Sequence, residues 1–95
     1  MADGGLTLVQ FGAPWCGACR LTDPVIARIV ASEVGVVLRK VDVAEAPAEA
    51  EAMRVSGLPT LVFLAPDGRE LHRIGGGTLG SRRIATALEA ARAAL

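Results

Sequence analysis

The chain reads as an α/β protein of one small domain, residues 1–95, with elements in the order β-α-β-α-β-β-α. Three observations predict this. Residues 6–11 are an apolar, β-branched-rich run of strand length, and residues 36–43 and 60–64 read as two further strand runs. Between the first two lies a stretch of helical periodicity, and a strand, helix and strand over this length form a right-handed parallel crossover. After the third run, Pro66-Asp67-Gly68 is a strong turn signal, and residues 70–74 alternate as an antiparallel edge strand should.

Each element can be justified in turn. Residues 1–5 are a flexible lead-in to the first strand. Residues 12–15 turn the chain, and a helix starts near Cys16. Thr22, Val25, Ile26, Ile29 and Val30 recur at helical spacing as its buried stripe. Pro24 lies inside that stripe and should kink the helix, because it removes one backbone bond. The helix ends before Gly35. Residues 47–55 form a short helix with Pro47 in its first turn, closed by Ser56-Gly57. Gly75-Gly76-Gly77 is a loop. Thr78 or Ser81 caps a last helix that buries Ile84, Leu88, Ala91 and Leu95 and exposes Arg82, Arg83, Glu89 and Arg92.

Composition narrows the function classes. The 95 residues are 52% hydrophobic but only 3% aromatic, so aliphatic side chains must fill the core. Ten basic residues balance ten acidic ones and are scattered, which argues against a nucleic-acid partner. No apolar run is long enough to span a bilayer. The first five residues lack the basic-then-apolar pattern of a secretory signal, so a cytoplasmic location is expected. Thiols there stay mostly reduced, and a C-x-x-C pair points to redox or metal chemistry rather than to a structural bridge.

The chain is organised around Ala13-Pro14-Trp15-Cys16-Gly17-Ala18-Cys19-Arg20, which holds both cysteines and the only tryptophan. Cysteines three apart in the first turn of a helix can close a disulfide with little backbone movement. A cysteine at the start of a helix sits at its positive end, which favours thiolate, the nucleophile of disulfide exchange. As a mere staple, a loop this short saves only about 2 kcal/mol of chain entropy. As half of a zinc site the pair lacks partners, since zinc takes four ligands and His72 is the only histidine. Two chains could still supply four thiolates to a metal or cluster.

With these residues in view, the chain resembles the thioredoxin family. Trp15-Cys16-Gly17-Ala18-Cys19 is similar to that family's active-site motif. Pro24 matches its helix-kinking proline, Gly57-Leu58-Pro59-Thr60 the loop whose proline is cis, and Gly77 a glycine beside the active site. The matches keep the family's order and spacing from Gln10 to Thr60. The resemblance implies a minimal thioredoxin fold. Two parallel strands and an antiparallel hairpin would form one four-stranded mixed sheet with helices on both faces. It also implies a thiol–disulfide oxidoreductase acting on protein disulfides, with no bound cofactor and with a thioredoxin reductase or similar electron donor. No membrane is involved, and a monomer is expected with a dimer left open.

In the mechanism so implied, Cys16 at the exposed helix start attacks a substrate disulfide, and Cys19, one turn deeper, resolves the mixed disulfide. Trp15, Gly17, Ala18, Leu58, Pro59 and Gly77 would bind substrate. A cis bond before Pro59 would turn the Leu58 backbone outward, where an extended substrate could pair with it. Gln10, Lys40 and Pro24 would tune the redox pair.

The sequence departs from the family in four places. It leaves no room for the usual additional N-terminal strand and helix. Gln10 stands where thioredoxins carry a buried aspartate, Gly12 replaces a second tryptophan, and Ala18 replaces the proline between the cysteines. An amide cannot take a proton from the deeper cysteine, so slower resolution, or reliance on water near Lys40, is expected. Ala18 restores an N–H near the Cys16 sulfur, which predicts a potential less reducing than a typical thioredoxin's. A glutaredoxin-like reductase fed by glutathione and a non-catalytic metal-binding or adaptor module are the alternative readings.

Overall fold

The computed structural model describes residues 5–95. Most of the expected lead-in, residues 1–4, lies outside them. Four strands and three helices follow in the expected order: β1 (Leu6–Gly12), α1 (Gly17–Ala31), β2 (Val36–Asp42), α2 (Pro47–Ala52), β3 (Thr60–Leu64), β4 (Glu70–Gly75) and α3 (Ser81–Ala93). They build one mixed sheet in the order β2-β1-β3-β4. β1 pairs in parallel with β2, Gln10 opposite Lys40 and Gly12 opposite Asp42. It pairs antiparallel with β3, Gln10 opposite Leu61. β4 completes the antiparallel hairpin, with a register shift between Phe63 and Leu64. The fold is therefore the four-stranded α/β arrangement that the sequence implies.

Side-chain alternation along β1 divides the core. Leu6 and Leu8 point to one face, where they pack with Ile26 of α1, Leu61 and Phe63 of β3, and Ile84 and Leu88 of α3. Val9 and Phe11 point to the other, with Val41, Val62 and Ala50 of α2. Helices thus cover both faces. Gln10 shares the parity of Leu6 and Leu8, so the strand pleat turns its amide toward α1. It is 3% exposed.

Four local expectations are corrected. α2 stops at Ala52, not at residue 55, and no glycine ends it: Arg54 adopts a left-handed φ of 56°. The cause is tertiary. Arg73 on β4 donates to the Met53 carbonyl at 2.8 Å and to the Arg54 carbonyl at 3.4 Å, serving groups that the helix end leaves free. Neither Thr78 nor Ser81 caps α3; its N-cap is Gly80, with no side-chain bond. Leu95 is 43% exposed, because α3 ends at Ala93 and Leu95 falls outside the helical stripe that buries Ile84, Leu88 and Ala91. The helical stripe of α1 is buried most deeply at Thr22 and Ile26, while Val25, Ile29 and Val30 pack at its margin. α1 runs through Pro24 without a break.

Candidate active site

β1 delivers the chain to the sheet's upper edge, and the 13–15 turn feeds it into α1. Two bonds fix that turn: the Cys16 N–H donates to the Ala13 carbonyl at 3.1 Å, and Arg20 Nη2 donates to the Pro14 carbonyl at 3.0 Å. Cys16 becomes the N-cap of α1 with extended backbone (φ −93°, ψ 106°), and its sulfur accepts the Cys19 N–H at 3.1 Å. That is the geometry in which Ser, Asp or Asn oxygen usually caps a helix. Here the capping atom is sulfur, and a sulfur in that position gains from negative charge. No acidic residue occupies the first turn of α1 to compete for the same dipole.

Cys16 and Cys19 are joined as a disulfide with Cα atoms 5.3 Å apart. The oxidised pair corrects one expectation. Cys16 is not exposed: it retains 8% of its surface and Cys19 4%. Capping folds the Cys16 side chain over the helix end and against its partner. The donor that reaches the Cys16 sulfur is also the Cys19 N–H, not the Ala18 N–H singled out by the sequence. Around the pair, Gly17 is exposed and Ala18 half-buried. Trp15 is 70% exposed, so it is not core packing.

The Leu58–Pro59 peptide is cis. Its loop is held by Thr60 Oγ1 donating to the Gly57 carbonyl at 2.6 Å and by the Gly76 N–H donating to the Pro59 carbonyl at 3.1 Å. Gly75 has to be small, because a Cβ there would meet Pro59 O at 3.0 Å and Thr60 Oγ1 at 3.1 Å. Leu58 and Trp15 line one shallow hollow with Val43, Val55, Ser56 and Gly57, about 220 Å³ in volume. Gly77 follows in the same loop as Gly76, with open space where a side chain would begin. Gly75 and Gly76 thus lie against Pro59.

Behind Cys19 a larger cavity opens, about 360 Å³, lined by Gln10, Gly12, Cys19, Asp23, Lys40 and Asp42 among others. Gly12 opens it: a Cβ there would sit 3.2 Å from the Cys19 sulfur. Gln10 Nε2 donates to Asp23 Oδ1, and Lys40 Nζ pairs with Asp23 Oδ2 at 3.5 Å. The structure therefore brings Gln10, Lys40 and Cys19 to one cavity. Asp23 is the member that sequence reasoning missed. The available signal was its spacing, four residues after Cys19 and so on the same face of α1. Thr22 was read only as an apolar-stripe residue. Its hydroxyl donates to the Ala18 carbonyl at 2.8 Å and accepts the buried Leu79 N–H at 3.4 Å, tying α1 to the loop before α3.

Among the described residues no group of three or more His, Cys, Asp or Glu side chains could hold a metal ion. His72 stands on β4 against Phe63, ring centroids 6.3 Å apart. No helix among them is long and apolar enough to cross a membrane.

Comparison with known proteins agrees with this geometry. The family model described as Thioredoxin matches residues 1–90. The chain belongs to the thioredoxin family. It is 42% identical over 72 residues to a thioredoxin of Chlamydia caviae, covering 76% of this chain and 70% of that one. It is 39% identical over 71 residues to a thioredoxin H-type 1 of Nicotiana tabacum, covering 75% and 56%. The solved structure of Fasciola hepatica thioredoxin superposes with a TM-score of 0.80 at 32% identity, covering 93% of this chain and 83% of that one. With a cysteine pair in bonding position at the helix start, membership in this family makes the protein a thiol–disulfide oxidoreductase.

Proposed function

We propose that the protein reduces or exchanges disulfides of other proteins through the Cys16-Gly17-Ala18-Cys19 dithiol, in the cytoplasm, recharged by a thioredoxin reductase or similar donor. The observation that carries this reading is the Cys16 sulfur serving as N-cap of α1, with Cys19 bonded to it from one turn deeper. The Cys16 thiolate attacks one sulfur of the substrate disulfide. The substrate's S–S bond breaks, a mixed disulfide forms, and the other substrate sulfur leaves as thiolate. Cys19 then attacks Cys16, closing the internal disulfide and releasing the second substrate sulfur. Two electrons pass from the dithiol to the substrate.

Substrate docks across Trp15, Gly17 and Ala18 on one side and Leu58, Pro59 and Gly77 on the other. The exposed indole supplies apolar contact, and the Leu58 backbone supplies strand-like pairing. Gln10 and Lys40 tune the pair from the cavity behind Cys19, and Pro24 tunes it from within α1. Insulin reduction with thioredoxin reductase as donor tests the reading; turnover with glutathione alone would favour the glutaredoxin-like alternative. A Cys19→Ser variant should hold substrates as mixed disulfides on Cys16. Failure to reduce insulin with either donor would overturn the proposal.

A further inference from the structure

We propose that Asp23 accepts the proton of Cys19 during the resolving step, through water in the cavity behind the cysteine pair, with Gln10 and Lys40 holding its carboxylate in place. The proposal rests on the exchange chemistry proposed above. Cys19 is 4% exposed, and a thiol so placed must lose its proton before it can attack. Five charged residues line the cavity it borders: Arg20 and Asp23 from α1, Lys40 and Asp42 from β2, and Glu45 just after β2.

Of these, Arg20 and Lys40 carry cations and accept nothing. Asp42, opposite Gly12 at the end of β2, has its Oδ1 taken by the Ala44 N–H at 2.8 Å, and Glu45 is exposed. Asp23 alone lies one helical turn from Cys19 on the same face of α1. Gln10 Nε2 donates to its Oδ1, and Lys40 Nζ pairs with its Oδ2 at 3.5 Å. Gln10 is buried and extends from the rigid centre of the sheet, so it positions the carboxylate without transferring a proton itself. The cavity that Cys19 and Asp23 both line, about 360 Å³, has room for several waters and polar side chains to hold them.

The step balances. The proton of Cys19 passes to the Asp23 carboxylate, and the sulfur's electron pair forms the Cys19–Cys16 bond. The bond from Cys16 to the substrate sulfur breaks, and that sulfur leaves as thiolate. Asp23 then loses its proton to solvent. When the internal disulfide is reduced again, Asp23 runs in reverse and returns a proton to Cys19.

Stopped-flow mixing of the reduced protein with one equivalent of 5,5′-dithiobis(2-nitrobenzoate) separates the two steps. The first thionitrobenzoate is released by Cys16 and the second by Cys19. Asp23→Asn should slow the second phase roughly ten- to hundredfold at pH 7 while leaving the first within about twofold. The gap should narrow as pH rises past the ordinary thiol value of about 8.5, as hydroxide comes to deprotonate the thiol directly. Asp23→Glu should recover part of the rate, and Glu45→Gln should leave both phases as they are. A thermal melt of each variant reports its folding independently. An unchanged second phase, an equal slowing of both phases, a slowing that persists at every pH, or the same loss in Glu45→Gln would each overturn the role of Asp23. Absence of the first phase in the unmodified protein would instead overturn the exchange reading.

Discussion

Thr22→Val is the most direct test of how α1 is fastened to the loop that precedes α3. Valine keeps the shape of threonine and removes only the hydroxyl. Thr22 and Leu79 are both 0% exposed, so no water replaces what is lost. The Ala18 carbonyl keeps its place in the helical ladder and loses only a second donor. The Leu79 N–H loses its acceptor, and an orphaned buried donor costs about 1–3 kcal/mol. At 3.4 Å the bond is long, which puts the expected loss at the lower end, about 1–1.5 kcal/mol. For a chain of this size that is a fall in melting temperature of roughly 4–10 °C. Thr22→Ser keeps the hydroxyl and loses one buried methyl, about 1 kcal/mol by area. The two variants should therefore match in urea denaturation and differ in hydrogen exchange. Valine should speed exchange at the Leu79 amide beyond what its lower global stability explains, whereas serine should not. Equal Leu79 protection in both variants, or a valine variant as stable as the parent, would refute the reasoning.

Two further outcomes are expected. Ala18→Pro removes an N–H at the second residue of α1, where proline is tolerated, and leaves the Cys19 donor on the Cys16 sulfur untouched. Loss of one helix-end donor, about 0.3–1 kcal/mol, should make the potential more negative by roughly 5–20 mV in a glutathione equilibrium; a shift upward, or one beyond about 40 mV, would contradict this. On β4, the Arg73 hydrogen bonds, both 2.8 Å, hold the Glu70 carboxyl below the ordinary range. A depressed folded value means the pair stabilises the fold above the usual carboxylate pKa of about 4.3 and stops doing so as pH falls through the lower folded value. Both side chains are about a third exposed or more, so the contribution is under about 1 kcal/mol. Glu70→Gln should show that small deficit in urea at pH 7 and none at pH 2; an equal deficit at both would contradict the linkage.

What could be read from the sequence depended on how far apart the causes lie. The strands and α1 were legible because strand alternation and helical periodicity act within a few residues. The end of α2 was not, because the guanidinium that serves its last carbonyls arrives from β4, 20 residues further on. The active site divides the same way. Cys16 at a helix start, with Cys19 one turn on, is a local arrangement, and the first chemical step belongs to it. The surroundings of Cys19 are assembled from three elements. Gly12 ends β1, Asp23 stands on α1, and Lys40 reaches across from β2. Gln10 looked like a lost carboxylate because the residue that faces it was not visible along the chain. Once the sheet parity turns Gln10 toward α1, its amide meets a carboxylate that no motif marked. The attacking step should thus respond to changes inside the C-x-x-C turn. The resolving step should respond to residues far from it in sequence, and variants at 10, 23 and 40 should separate the two.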